Sequence, residues 1–368
     1  MGRSSHSRGL AVFAVFTAIS TFVLIWVGGV VTSHGAGMAV PDWPTTYGYN
    51  MFAYPLSEWF FTGTGISKEH SHRIIASGVG LLTTILAVWL WMKEERRWLR
   101  WLGVIAFVAV CVQGVLGGLR VTLYKDELGI FHATFAQMFL VLMCSMAFFL
   151  SKRWKEMVGR GNGSRGRSPS LGRSPSLDKV DFHPWFRPVV LGVTLLILGQ
   201  LALGATMRHE HAGLAVPDFP LAYGEWWPPT DAVFLEEANR KRHDYRQFKP
   251  ITAGQIHLHM AHRITACVIL LGVGACVALS RRGGDHRGVK RFATGWFVLI
   301  LIQAGLGAYT VWSNKAADIA TAHVAVGALS LVWGSLLLVG TAPLARRVAA
   351  AERALIPQAV RGAPALSS

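Results

Sequence analysis

Eight apolar runs decide what this chain can fold into. Each is about 20 residues long, the length a helix needs to cross roughly 30 Å of hydrocarbon at 1.5 Å per residue. They lie near residues 9–31, 72–92, 101–119, 129–150, 188–206, 258–279, 291–311 and 318–340. In lipid every backbone N–H and C=O must find its partner inside the segment, so the runs predict eight helices and an all-α integral membrane protein. Composition agrees, with 52% hydrophobic and only 15% charged residues among 368, far more apolar than a soluble domain. The first run is too long for the apolar core of a cleaved signal. It leads through Gly28-Gly29 into a loop without an AxA-like site, so it is expected to stay as a helix.

A net charge of +16 raises the question of nucleic acid, and the placement of that charge answers it. Of 36 Lys and Arg, 24 fall at the N-terminus, near 93–100, 151–187 and 281–291, and at the C-terminus. They are sorted by loop rather than interleaved with aromatics, so no nucleic-acid partner is expected. The positive-inside rule puts both termini in the cytoplasm and residues 34–66 and 210–255 in the periplasm, as in a bacterial inner membrane. The stretch GRGNGSRGRSPSLGRSPSLDKV reads as a disordered cytoplasmic linker at 159–187. It separates residues 1–158 from 188–345, with a cytoplasmic tail at 346–368. All four cysteines, Cys111, Cys144, Cys267 and Cys276, fall within the runs and form no CxxC motif, which reads as small core residues.

The two halves resemble each other. HGAGMAVPDWPTTYG (34–48) matches EHAGLAVPDFPLAYG (210–224), EHSHRIIASGV (69–79) matches HMAHRITACVI (259–269), and VQGVLGGLRV (112–121) matches IQAGLGAYTV (302–311). Self-similarity of this kind marks a duplication. Four spans per half is an even number, so the expected architecture is two four-helix bundles in a parallel repeat. His72, His132, His262 and His323 then share one depth near the outer surface, each close to the start of an even-numbered span. A single membrane histidine commonly bonds a neighbouring helix, yet intramembrane ionisable groups are also functional suspects. Two level pairs call for more. Zinc prefers additional ligands, whereas haem takes two axial histidines from facing helices and an apolar wrapping. Gly114, Gly117, Gly118, Gly305 and Gly307 would admit a flat ring, or serve ordinary small-residue packing.

Arg73 and Arg263 each follow a histidine and suit haem propionates, or snorkel from a helix end. Glu69 lies one turn before His72, where the second half has His259, so a carboxylate stands beside one pair only. It is a candidate proton carrier; the plainer reading is a helix-end charge or an i,i+4 partner of Arg73. The PDWP and PDFP turns suggest a rigid cap on each bundle. The charged stretch from Glu236 to Lys249 reads as a surface excursion without chemistry.

At these residues the sequence resembles the haem A synthase family: the GxG(M/L)xxPDWP loop, the ExxHR opening, His132 in HATFAQ, and the second-half HxxxHR and AHVAVGAL segments. The resemblance implies O2-dependent oxidation of a methyl group of haem O to the formyl group of haem A for terminal oxidases. It implies substrate haem in the first half near Glu69, His72 and His132, and a haem b cofactor held by His262 and His323 in the second. A haem O synthase, an electron donor and further copies of the chain are the implied partners. Some members carry paired loop cysteines, which this chain lacks. A bis-histidine cytochrome b confined to electron transfer is the alternative that the four histidines alone permit, and Glu69 in one half speaks against it. A transporter with parallel repeats leaves the level histidines unexplained, and the absence of paired DxxxD motifs disfavours a prenyltransferase.

Overall fold

The computed structural model describes residues 3–61, 63–162, 183–241, 250–284 and 287–361. In chain order the helices are α1 (Arg3–Ser33), α2 (Leu56–Phe61), α3 (Thr64–Lys93), α4 (Arg97–Thr122), α5 (Asp126–Leu150), α6 (Lys152–Asn162), α7 (Phe186–His209), α8 (Ala232–Arg240), α9 (Ala253–Arg282), α10 (Arg287–Trp312) and α11 (Ala317–Arg361). Among the described residues α1, α3, α4, α5, α7, α9, α10 and α11 are long and apolar enough to cross a membrane. The chain is therefore an all-α, multi-pass membrane protein. Among the described residues the one sheet is a two-stranded hairpin, β1 (Thr45–Thr46) and β2 (Tyr49–Asn50), pairing Thr45 with Asn50 and Thr46 with Tyr49.

Packing sorts the long helices into two rings. α1 and α4 each touch α3 and α5; α7 and α10 each touch α9 and α11. α1 and α5 meet α11, and α5 meets α7, along the seam. Large side chains such as Val12, Ile19, Val88, Trp101, Val108, Leu195 and Leu271 point outward, as an apolar solvent allows. The tight interior lies toward the end of each ring remote from the long loops. In the first ring it is built by Leu10, Leu86, Leu90, Leu99, Met143 and Met146, in the second by Phe186, Val193, Val273, Cys276 and Trp296. The four candidate histidines sit toward the other end.

That other end carries the caps. Asp42 accepts hydrogen bonds from the Tyr47 N–H (2.8 Å), the Gly48 N–H (2.9 Å) and the Thr45 hydroxyl (2.5 Å). Asp218 accepts from the Tyr223 and Gly224 N–H groups at 2.7 and 2.8 Å. Tyr47 and Tyr223 donate their hydroxyls back to the carbonyls of Ala39 and Ala215. Each Tyr-Gly pair adopts successive left-handed φ values, 48° then 79° and 55° then 81°, which is why glycine follows the tyrosine. The Trp43–Pro44 and Phe219–Pro220 peptides are both cis.

Several boundaries differ from the sequence expectation. α3 begins at Thr64 and α9 at Ala253, well before the apolar runs at 72 and 258. Polar turns can stay helical where they pack under a cap instead of in lipid, and α9 opens on a capping box between Thr252 and Gln255. KEHSHR is thus internal to a helix, and His72 lies in its third turn. Helix also enters the expected linker through Asn162 and from Phe186, while residues 163–182 lie outside the described residues. The expected tail is helical to Arg361. The expected excursion from Glu236 begins within α8, which is capped by Asp231 accepting from the Phe234 N–H, and its residues 242–249 lie outside the described residues.

Candidate functional site

One local device recurs four times. A glycine on one helix faces a histidine ring on the next: Gly28 faces His72, Gly117 faces His132, Gly204 faces His262 and Gly307 faces His323. A Cβ on these glycines would lie 3.1, 3.2, 3.4 and 3.1 Å from the ring Cε1, so a larger residue would displace three of the four imidazoles. Four residues earlier on the same helix face stands a glutamine in three cases. Gln113, Gln200 and Gln303 donate to the main-chain carbonyls of His132, His262 and His323 at 3.1, 2.8 and 2.9 Å. The fourth position, on α1, is Leu24, whose side chain has no donor.

The sequence reading missed these glutamines, although the spacing QxxxG (113–117, 200–204, 303–307) displays them. It also missed Gly28 and Gly204, and it chose more glycines than face a ring. Gly114 and Gly305 border open space, and Gly118 receives Trp43.

The histidine pairs fit a flat metal complex. Nδ1 of His72, His132, His262 and His323 is buried without a hydrogen-bond partner in the protein. The His262 and His323 rings stand with centroids 6.4 Å apart and planes inclined by 64°. Two imidazoles on one metal, each nitrogen about 2 Å from it and each ring centre about 1 Å further, need a separation of about 6 Å. Among the described residues no three His, Cys, Asp or Glu side chains converge on a metal site. The arrangement offers sites of two histidines each, fewer ligands than a zinc site of the usual kind takes.

Around the pairs the halves diverge. Glu69 is buried, accepting from the Val40 N–H at 2.9 Å and from Arg73 at 2.8 Å. Arg73 fills its terminal donors: Nη1 bonds the carbonyls of Asp42 (2.6 Å) and Thr45 (3.1 Å), and Nη2 bonds Val40 O (2.8 Å) and Glu69. Arg73, the expected propionate partner, here ties its helix to the cap. A buried, fully bonded ion pair of this kind holds its geometry, because removing either partner strands the other charge. Among the described residues Arg263 bonds Leu221 O and Asp218 O, at 2.9 and 2.5 Å, and lies over the Phe219 ring. Its Nε is buried and without a partner. His259, in the place of Glu69, contacts Ala212 O at 3.2 Å through Nδ1.

Next to Glu69, His70 is fully buried between the rings of Tyr54 and Trp59, with Nδ1 3.1 Å from the Thr46 hydroxyl. It braces the cap. Outside the membrane the cap carboxylate Asp42 is held below its ordinary value: burial works against this, and the Gly48, Thr45 and Tyr47 hydrogen bonds outweigh it. All four cysteines are free thiols.

Fold and site together define a class: an eight-span helical membrane protein with two level pairs of buried histidines, one pair beside a carboxylate. The chain belongs to the COX15-CtaA family of cytochrome oxidase assembly proteins, whose profile matches residues 61–334. It is 25% identical, over an aligned length of 345, to the heme A synthases of Bacillus cereus (strain AH187) and Bacillus anthracis (strain A0248), with 89% of this chain and 92% of each relative covered.

Proposed function

We propose that this protein is a haem A synthase, oxidising a methyl group of haem O to the formyl group of haem A with O2. The carrying observation is the asymmetry between two otherwise matched histidine pairs: only the first has a buried carboxylate within one turn of a ligand candidate. In this reading His72 and His132 hold the substrate haem, and His262 and His323 hold a resident haem b. A bound haem supplies the iron that takes up and passes electrons. The chain supplies the rest. Its histidines fix the metal axis, the glycines leave room for the ring, and the cap with its Tyr-Gly turns screens the outer face from water. Glu69 holds or passes a proton at its carboxylate oxygens. Arg263, with an unfilled Nε, is suited to a propionate; Arg73 would have to share bonds already made to the cap.

Arg208, at the end of α7, donates to the Gly29 carbonyl and the Ser33 hydroxyl at the end of α1. α1 and α7 therefore finish on one face, which supports the parallel repeat. Loop charge supports a bacterial inner membrane with both termini cytoplasmic. Haem O synthase is the natural source of substrate.

Expression of the full chain with a haem O source, followed by mass analysis of the extracted haems, tests the reading. Haem A is the expected product. Haem O alone, in a preparation that carries its haem b, would leave the cytochrome function instead.

A further inference from the structure

Three basic side chains that the scheme above does not use converge at the outer end of the first ring. The Arg120 guanidinium lies against two glycines that leave it room. A Cβ on Gly37 of the first cap would be 3.0 and 3.1 Å from Nη1 and Nη2, and a Cβ on Gly129 of α5 would be 2.9 Å from Nε. The same point on Gly129 lies 2.7 Å from His209 Nε2, so the Arg120 and His209 side chains are neighbours across the boundary between the halves. Arg208 precedes His209 on α7 and reaches the end of α1. Arg120 is within electrostatic reach of Arg208 and of both first-half ligand candidates, and His209 is within reach of His132.

In the second ring the Lys315 side chain faces Gly213, the counterpart of Gly37, with Nζ 3.8 Å from the Cβ position, in place of this set of three. Arg120 corresponds to Thr310 in the repeat, and the equivalence of Gly28 with Gly204 aligns Arg208 and His209 with Thr32 and Ser33. A cation in the last turn of a helix is favoured by the helix dipole, which accounts for one arginine on each of α4 and α7. It does not account for turning the two toward a common point beside the first-ring histidines, a setting that suits an acidic ligand. Arg73, the residue with the better sequence credentials, is committed to the cap.

Resting on the haem A synthase reading, we propose that Arg120 and Arg208, with His209, form a carboxylate-binding subsite for the acidic side chains of the tetrapyrrole substrate in the first ring. It would orient the macrocycle by its carboxylate edge and set which rim of the ring faces Glu69. The second half contributes Arg208 and His209, so the substrate site is completed across the seam.

The test is an optical titration of the full haem b-loaded chain in neutral-lipid nanodiscs with haem O and with its dimethyl ester. Arg120→Gln and Arg208→Gln should each raise the Kd for haem O at least tenfold, the scale of a charge-assisted hydrogen bond. Arg120→Lys and Arg208→Lys should recover part of that loss, and haem b content should be unchanged throughout. The ester should bind the native chain weakly and ignore both Gln substitutions. Wild-type Kd in both Gln variants, or equal weakening of ester and acid, overturns the subsite. Retention of an anionic lipid that is lost in Arg208→Gln, with haem O binding unaltered, identifies a headgroup site and also overturns it. No titratable haem O binding by the native chain would remove the haem O reading itself, and the subsite with it.

Discussion

The two rings share caps, glycine-faced histidines and cap-bonded arginines, and they differ in what surrounds those parts. In the first, Arg73 is neutralised by Glu69 and fully bonded; in the second, Arg263 has two carbonyls and a phenyl face. The first keeps Leu24 where the second keeps Gln200, so both second-ring histidines have their carbonyls pinned to a neighbouring helix and only one first-ring histidine does. The contrast teaches how a duplicated frame separates duties. A site that holds a permanent group gains from fixed ligands, whereas a site that must admit, turn over and release a substrate gains from one softer side and a proton carrier.

The largest expected effect separates the rings outright. His262→Ala and His323→Ala should each abolish low-spin haem b, while His72→Ala and His132→Ala should retain it and lose haem A formation; pyridine haemochrome spectra and haem extraction read both. Full haem b in the second-ring variants would break the comparison at its root.

Glu69→Gln comes next. The amide can still accept from the Val40 N–H, so haem b content should hold, while product formation should fall roughly 10²-fold, the scale of general acid–base catalysis, and the haem alcohol should accumulate. Turnover at the native rate would reduce Glu69 to a partner of Arg73. Both Glu69→Gln and Glu69→Ala leave Arg73 buried without its counter-charge and should lower stability, Glu69→Ala by about 3 kcal/mol because it also removes the acceptor for the Val40 N–H.

Swapping the clamps sharpens the contrast further. Gln200→Leu should make haem b about threefold more reactive toward carbon monoxide, and Leu24→Gln should make the first ring less reactive by a similar factor. That size follows from the ~0.6 kcal/mol typical of an interhelical hydrogen bond in a membrane. No change in Gln200→Leu would show that the clamp does not govern the ligand.

The smallest effect concerns the caps. Asp42 titrates below its ordinary value of 3.8, so its contribution to cap stability is complete above that value and is lost as pH falls through the lowered one. Trp43 fluorescence should report the first cap loosening on acidification below the ordinary carboxylate range. Thr45→Val, which makes the first cap resemble the second at Leu221, should move that loosening to higher pH.

The eight helices were legible because lipid demands long apolar runs, and the histidine pairs because the repeat aligns them. Boundaries were less so: Thr64–Lys68 is polar yet helical, held under a cap that hydropathy does not see. The cap contacts of Arg73 were hidden for a related reason. Its partners are main-chain carbonyls of Val40, Asp42 and Thr45, and backbone acceptors leave no trace in side-chain identity. Arg120 and Arg208 belong to separate halves of the chain and meet only once the rings are joined.

The place of α11 has a consequence for manufacture. It bears His323, packs on α7 and α10, and also touches α1 and α5. The first ring can close as soon as four spans have left the ribosome, whereas the second cradle waits for the final span. At 5–20 residues per second, synthesis from His262 to His323 takes roughly 3 to 12 s. Through that interval the nascent second half has one ligand without its mate and a flank open to lipid. On the proposed assignment, loading of a haem there would be an event of the finished chain, and a ribosome that stops before Ala317 would leave one complete ring and one with a single histidine of its pair.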